Sequence, residues 1–353
     1  MKHLFGLAAA LLIPKVALYA APSNSYQRSD VTNELEDISP LIYDTSPTEC
    51  PLVQNGAKGS ASNTTVDWTE DELDAADATN AWIDGDVFAA QAVTPPVKLT
   101  NECQIVRKDF RISRRARKLA KTGQTDEVAR QTVRKGRELK RDIEAVCMSN
   151  TAAVADNGSV APKTGSLLTW IKDLNSSGRT DRGGSGADPV TTGSTAATDG
   201  TIRALGEAAL LGVVAGIHID SQEMPDALML GTVAKQKFSN YMFSSSARIA
   251  TQHQDQGKTP RGGVRVVGAV DVWVTDYAVV DVVPDRFQRE RDAVFVNFDY
   301  IELCYFDPIS TDAMAKDSDT DSRMVLADFA LKVRNRYTLG VYADVNQATA
   351  MVA

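Results

Sequence analysis

The chain has 353 residues, 43% of them apolar and 24% charged, with 38 Lys and Arg against 46 Asp and Glu for a formal net charge of −8. That length supports a sizeable core in two or three compact units or one elaborated domain, and the composition excludes a wholly disordered, collagenous or coiled-coil protein. The longest apolar run, residues 4–13, falls short of the roughly 20 residues a membrane-spanning helix needs, so an integral helical membrane protein is excluded.

Residues 1–20 pair Lys2 with that apolar run, as a secretory signal does, but Pro14 and Lys15 interrupt it. Ala17 and Ala20 stand one residue too far apart for an A-x-A cleavage site, so a mobile tail or an early start codon competes with export. Residues 21–58 are polar with scattered Pro and read as an extended arm with apolar anchors at Leu41-Ile42-Tyr43 and Cys50-Pro51-Leu52-Val53. Alternating apolar positions over 60–68 and 96–113 predict the two strands of a long hairpin. Near its tip the segment 66–86 carries eight carboxylates, Asp67, Glu70, Asp71, Glu72, Asp74, Asp77, Asp84 and Asp86, with no Lys or Arg.

The opposite charge follows. Residues 107–141 hold 14 Lys and Arg against 4 Asp and Glu, leaving 24 basic and 42 acidic residues in the rest of the chain. From within this stretch the spacing predicts a helix running over 125–150, capped by Thr125, with Asp126 and Glu127 opposing the helix dipole. At about 100° per residue, Val128, Thr132, Gly136, Leu139, Ile143 and Val146 share a stripe to be buried, and Arg130, Arg134, Arg137 and Arg141 form a ridge on the other side. Such a rod is about 39 Å long.

Residues 151–200 are rich in Gly, Ser and Thr and read as a long loop with one apolar foothold, Leu167-Leu168-Thr169-Trp170-Ile171. A helix over 202–217, a buried strand over 227–231 and a helix capped by Thr232 and running to about 246 come next. Strands are then predicted over 264–275, 278–283, 293–306, 324–333 and 337–342, with Pro284, Pro308 and the acidic run 317–321 as punctuation. Segregated helices and strands argue for an α+β fold.

Sites of chemistry fail on their spacing. Gly257-Lys258-Thr259 lacks the glycine of a phosphate-binding loop, since Gln252 stands there. The run Asp317-Ser318-Asp319-Thr320-Asp321 resembles the start of a calcium loop, yet Ser322 holds the position that needs Gly and Asp328 the position of the closing Glu. Cys50, Cys103, Cys147 and Cys304 form no CxxC pair and read as free thiols, and His218 reads as a core residue. Neither a catalytic set nor a cofactor is expected. The basic helix is a solvated face, a sequence-blind contact for phosphates, or a partner surface that the acidic hairpin of another copy would meet.

The order arm, hairpin, long helix, loop-rich insertion and α+β body resembles the major capsid protein of tailed bacteriophages, with its Hong Kong 97-type shell fold, and among these a podovirus-type family. Ala21-Pro22-Ser23-Asn24-Ser25-Tyr26, Ile42-Tyr43-Asp44-Thr45-Ser46-Pro47-Thr48-Glu49, Asn63-Thr64-Thr65 with Trp68, and Lys135-Gly136-Arg137-Glu138-Leu139-Lys140-Arg141-Asp142 carry the similarity, which spans residues 21–345. The first twenty residues have no counterpart in it. The resemblance implies an arm (21–58), an extended loop (59–113), a peripheral domain with the spine helix and insertion (114–200), an axial domain (201–300), and C-terminal strands returning to the peripheral domain (301–353). It further implies hexamers and pentamers of an icosahedral shell around double-stranded DNA, assembled in the host cytoplasm and found in the virion, with scaffold, portal or decoration proteins as partners and no membrane. A cellular encapsulating shell and a secreted β-rich adhesion protein are the competing readings.

Overall fold

The computed structural model describes residues 49–74, 76–87, 93–119, 126–244, 270–316, 318–346 and 351, all within one unit of the chain. The expectations for residues 1–48, for Thr125, for Gly257-Lys258-Thr259 and for Asp317 lie outside the described residues. In chain order the elements are α1 (Pro51–Asn55), β1 (Ala57–Ser60), β2 (Thr65–Glu70), β3 (Val97–Glu102), β4 (Gln104–Ser113), α2 (Arg114–Lys118), α3 (Glu127–Cys147), α4 (Leu167–Trp170), β5 (Thr180–Asp181) and α5 (Glu207–Ser221). There follow β6 (Ala227–Leu230), α6 (Thr232–Ser244), β7 (Val272–Val274), β8 (Val279–Pro284), β9 (Ala293–Val296), β10 (Ile301–Ala313), β11 (Thr320–Val333) and β12 (Gly340–Tyr342).

Three sheets form. A four-stranded sheet runs β1-β10-β11-β4, with β1 parallel to β10 and the other pairs antiparallel. Its β11 alternates so that Val325, Ala327, Phe329, Leu331 and Val333 enter one core with Leu139, Ile143 and Cys147 of α3. A six-stranded sheet runs β5-β12-β9-β6-β8-β7. It builds a second core with α5 and α6 around Phe238, Trp273 and Phe295. Among the described residues strands β2 and β3 pair only with each other.

Several expectations are corrected by this pairing. The stretch 96–113 is two strands that part at Cys103: β3 completes the hairpin with β2, whereas β4 leaves it to pair with β11. The expected strand 293–306 likewise breaks at the 3-10 turn Phe298–Tyr300, so that β9 and β10 belong to different sheets. Pro308 does not end β10. The strand carries it through two register shifts, the bulges by which a sheet accommodates a residue without an N–H. Of the expected strand 337–342, the first residues lie in the 3-10 turn Arg336–Thr338, and Gly340–Tyr342 pairs with β9 and β5 of the six-stranded sheet.

The long helix is shorter than its sequence pattern. Asp126 caps it, accepting from the Val128 N–H at 2.9 Å, and its 21 residues give a rod of about 32 Å. Val128, Leu139 and Ile143 are buried as expected, but Thr132, Gly136 and Val146 are half-buried, and Glu144 and Cys147 complete the buried surface.

The Gly/Ser/Thr-rich segment is tied down by its apolar foothold. Leu167, Leu168, Trp170 and Ile171 are buried, and Trp170 packs on Trp68 of the hairpin with ring centroids 5.0 Å apart. Gly193, at φ +78°, crosses that ring so closely that a Cβ would lie 2.6 Å from it. At Gly216 of α5 a side chain would collide with the backbone of Arg179, so the helix can approach this segment only through a glycine.

Candidate assembly surfaces: the arginine helix and the acidic hairpin

The arginine ridge is built on α3, whose 3.6-residue period sets Arg130, Arg134, Arg137 and Arg141 on one side of the rod. Their surroundings differ. Arg130 donates to Glu127 at 2.7 Å, and Arg134 to Glu138 at 3.2 Å, a carboxylate that also takes Lys135 at 2.7 Å. Arg141 is half-buried, with its guanidinium 5.8 Å from the centroid of Phe287. Arg134 and Arg137 are exposed. Arg137 and Lys140 line a groove of about 900 Å³ together with Lys58, Val53, Tyr305 and Ile309, so basic groups share one cleft with apolar ones.

The acidic residues divide at the end of β2. Asp67 pairs with Lys98 of β3 at 2.8 Å. Glu70 meets Arg336 at 2.6 Å, both side chains largely buried, and its second oxygen accepts from the Arg336 N–H. Burial pushes the Glu70 carboxyl above its ordinary value even though the Arg336 guanidinium pulls it down. Glu72 accepts from the Tyr337 hydroxyl at 2.8 Å, and burial followed by that carboxylate pushes the phenol up to about 12. Glu70 and Glu72 thus hold the hairpin to its own chain.

Beyond this clasp the loop faces solvent. Asp71, Asp74, Asp77, Asp84 and Asp86 are exposed. Asp74 accepts from Thr94 at 3.2 Å, while Asp77 folds on Thr79, whose hydroxyl and N–H hold its carboxyl below the usual range. Among the acids stand Leu73 at 94% exposure, Ile83 at 80% and Val93 at 89%.

Sequence reasoning missed the residues that anchor the clasp. Arg336 leads to Arg179, which is fully buried, pairs with Asp220 at 3.1 Å, donates to the carbonyls of Lys172 and Arg336, and lies 4.8 Å from the Tyr337 ring centroid. Asn101 of β3 is equally buried and donates to Leu331 of β11 and to Thr164. His218 is half-buried against Tyr277, with ring centroids 5.6 Å apart, rather than a core residue. Asp319 and Asp321, read as the start of a calcium loop, pair with Arg114 and Arg117, and Ser322 lies in β11.

A protein-family model described as the SU10 major capsid protein matches residues 22–346. The chain belongs to the SU10 major capsid protein family. A relative from Escherichia phage Phieco32, named major capsid protein, is 30% identical over 138 residues, which span 38% of this family member and 39% of the relative. Solved structures share the Hong Kong 97-type fold with it. The capsid of a native GTA particle has a TM-score of 0.59 at 10% identity, covering 90% of this chain and 98% of that one. A Mycobacterium phage Bobi structure has a TM-score of 0.53 at 11% identity, with 91% and 98% covered. The holo-SrpI encapsulin complex from Synechococcus elongatus PCC 7942 has a TM-score of 0.51 at 12% identity, with 90% and 94% covered. The secreted adhesion reading therefore falls. No helix among the described residues is long and apolar enough to cross a membrane.

Proposed function

We propose that the chain is a structural shell subunit, without enzymatic activity of its own, whose copies close into an icosahedral capsid of hexamers and pentamers around packaged double-stranded DNA. In this reading it is assembled in the host cytoplasm and carried in the virion, with scaffold, portal or decoration proteins as further partners. The arm, extended loop, peripheral and axial divisions then correspond to residues 21–58, to the β2–β3 hairpin, to the four-stranded sheet with α3, and to the six-stranded sheet with α5 and α6. The observation that carries the proposal is the hairpin beyond Glu70: acidic and apolar side chains stand in water together, which a single copy has no reason to maintain.

The groove beside α3 offers the complementary surface, apolar walls with Lys58, Arg137 and Lys140 around them. A neighbour's Asp71, Asp74 and Asp77 would meet these cations while Leu73 or Ile83 fills the groove. A second role for the exposed Arg134 and Arg137 is salt-sensitive contact with packaged DNA, for which helical spacing of guanidinium groups suffices. Charge reversal at Arg134 and Arg137, followed by negative-stain microscopy and measurement of encapsidated DNA, tests both. Normal shells with normal DNA content would sink both roles. The encapsulin likeness in fold keeps a cargo-storing shell as the second reading, which neighbouring portal and terminase genes would overturn.

A further inference from the structure

Helix α1 is secured from outside itself. Cys50, at its N-cap, contributes no side-chain hydrogen bond, and the first N–H groups of a helix find no partner within it. Glu144 of α3 supplies two: one carboxylate oxygen accepts from Leu52 and the other from Val53, each at 2.8 Å. Glu144 and Leu52 have no solvent exposure, so water cannot replace either bond. The contact joins positions 92 residues apart and seats the last turn of the expected N-terminal arm on the spine helix.

The surroundings of this carboxyl are acidic and apolar. Asp285, in the loop after β8, is buried with one carboxylate oxygen unpartnered, and burial raises it as well. Cys50 ahead of α1 and Cys147 on α3 are buried thiols, pushed up by burial and then by Glu144. The cations close enough to act on Cys50 are Lys140, which is exposed, and Arg141, which lies over Phe287. Among the described residues no Lys or Arg forms an ion pair with Glu144.

We infer that Glu144 is the residue that positions the root of the arm, and that it seats α1 more firmly when it carries a proton than when it is ionised. An ionised Glu144 gains from both N–H bonds, yet its charge is stripped of water beside Asp285, and opening of the seat relieves both costs. A protonated Glu144 keeps a carbonyl acceptor and has no charge to bury. Burial is the largest influence, the two N–H bonds oppose it, Asp285 adds to it, and the group titrates at about 7 in place of 4.5. The sign follows from linkage. The closed seat binds the proton more tightly than the open one, so opening becomes easier as pH rises from the ordinary carboxylate range to about 7, and levels off above that.

Hydrogen exchange of the full-length chain between pH 5 and 8, expressed as protection factors corrected for intrinsic rates, reads the seat at residues 52–56. Protection is expected to fall as pH rises, by up to about a hundredfold. Glu144→Gln, permanently neutral and still an acceptor, is expected to hold protection flat, and Asp285→Asn, which removes the neighbouring negative charge, is expected to make the wild-type fall shallower and to end it at lower pH. A flat wild-type profile, or an unchanged slope in Glu144→Gln, would overturn the inference. Naming this segment an arm rests on the shell reading, but the exchange profile does not. Loss of shells with an intact pH profile would indict the former alone.

Discussion

The two ends of the acidic hairpin are made of similar residues and behave as different materials. At the root Trp68 packs against Trp170, Glu70 is locked to Arg336, and Asn101 ties β3 to β11, so Glu70, Arg336 and Asn101 are spent inside the chain. At the tip Leu73, Ile83 and Val93 stand in water among carboxylates. The contrast shows that charge and hydropathy alone do not mark an interface. Glu70 and Asp71 are adjacent acids, one inside a clasp and one exposed to solvent.

Substitutions at the root should cost most. Trp170→Ala empties a fully buried site against Trp68 and is expected to lower unfolding stability by about 3–5 kcal/mol, measured by denaturant titration of the unassembled chain. Arg336→Ala leaves the largely buried Glu70 carboxyl without its ion pair, for an expected loss of about 3 kcal/mol or more, whereas Arg336→Ala combined with Glu70→Gln should recover part of it. If the double variant is no better than the single, the clasp is not electrostatic. Leu73→Ser with Ile83→Ser should change stability by less than about 0.5 kcal/mol yet cut the yield of shells in negative stain. Equal loss of both would make the tip part of the subunit's own core. Smallest of all, Asp71→Asn and Asp74→Asn should leave the melting midpoint alone and weaken the salt dependence of assembly, read by light scattering at two ionic strengths.

Local periodicity made much of the fold legible. The stripe Val128, Leu139 and Ile143 shows α3, and the run Leu167-Leu168-Thr169-Trp170-Ile171 shows one place where the glycine-rich segment is rooted, though not the second, where β5 joins the six-stranded sheet. What sequence could not show was where strands change partner. Nothing in the alternation across residues 96–113 signals that Cys103 separates two sheets, because pairing is decided by distant residues of β2 and β11. The same holds for the buried charges. Glu144 reads as a surface acid on a basic helix until Leu52 and Val53 arrive to use it, and Arg179 looks solvated until Asp220 and Tyr337 enclose it.

The Glu70–Arg336–Tyr337–Arg179 clasp has an entropic consequence. A ribbon fixed at its base explores fewer directions than one hinged there, so most of the ordering loss is met when the chain folds and little remains to be met on encounter. Each copy would thus present its loop preoriented, and weak single contacts could suffice because many identical ones close together.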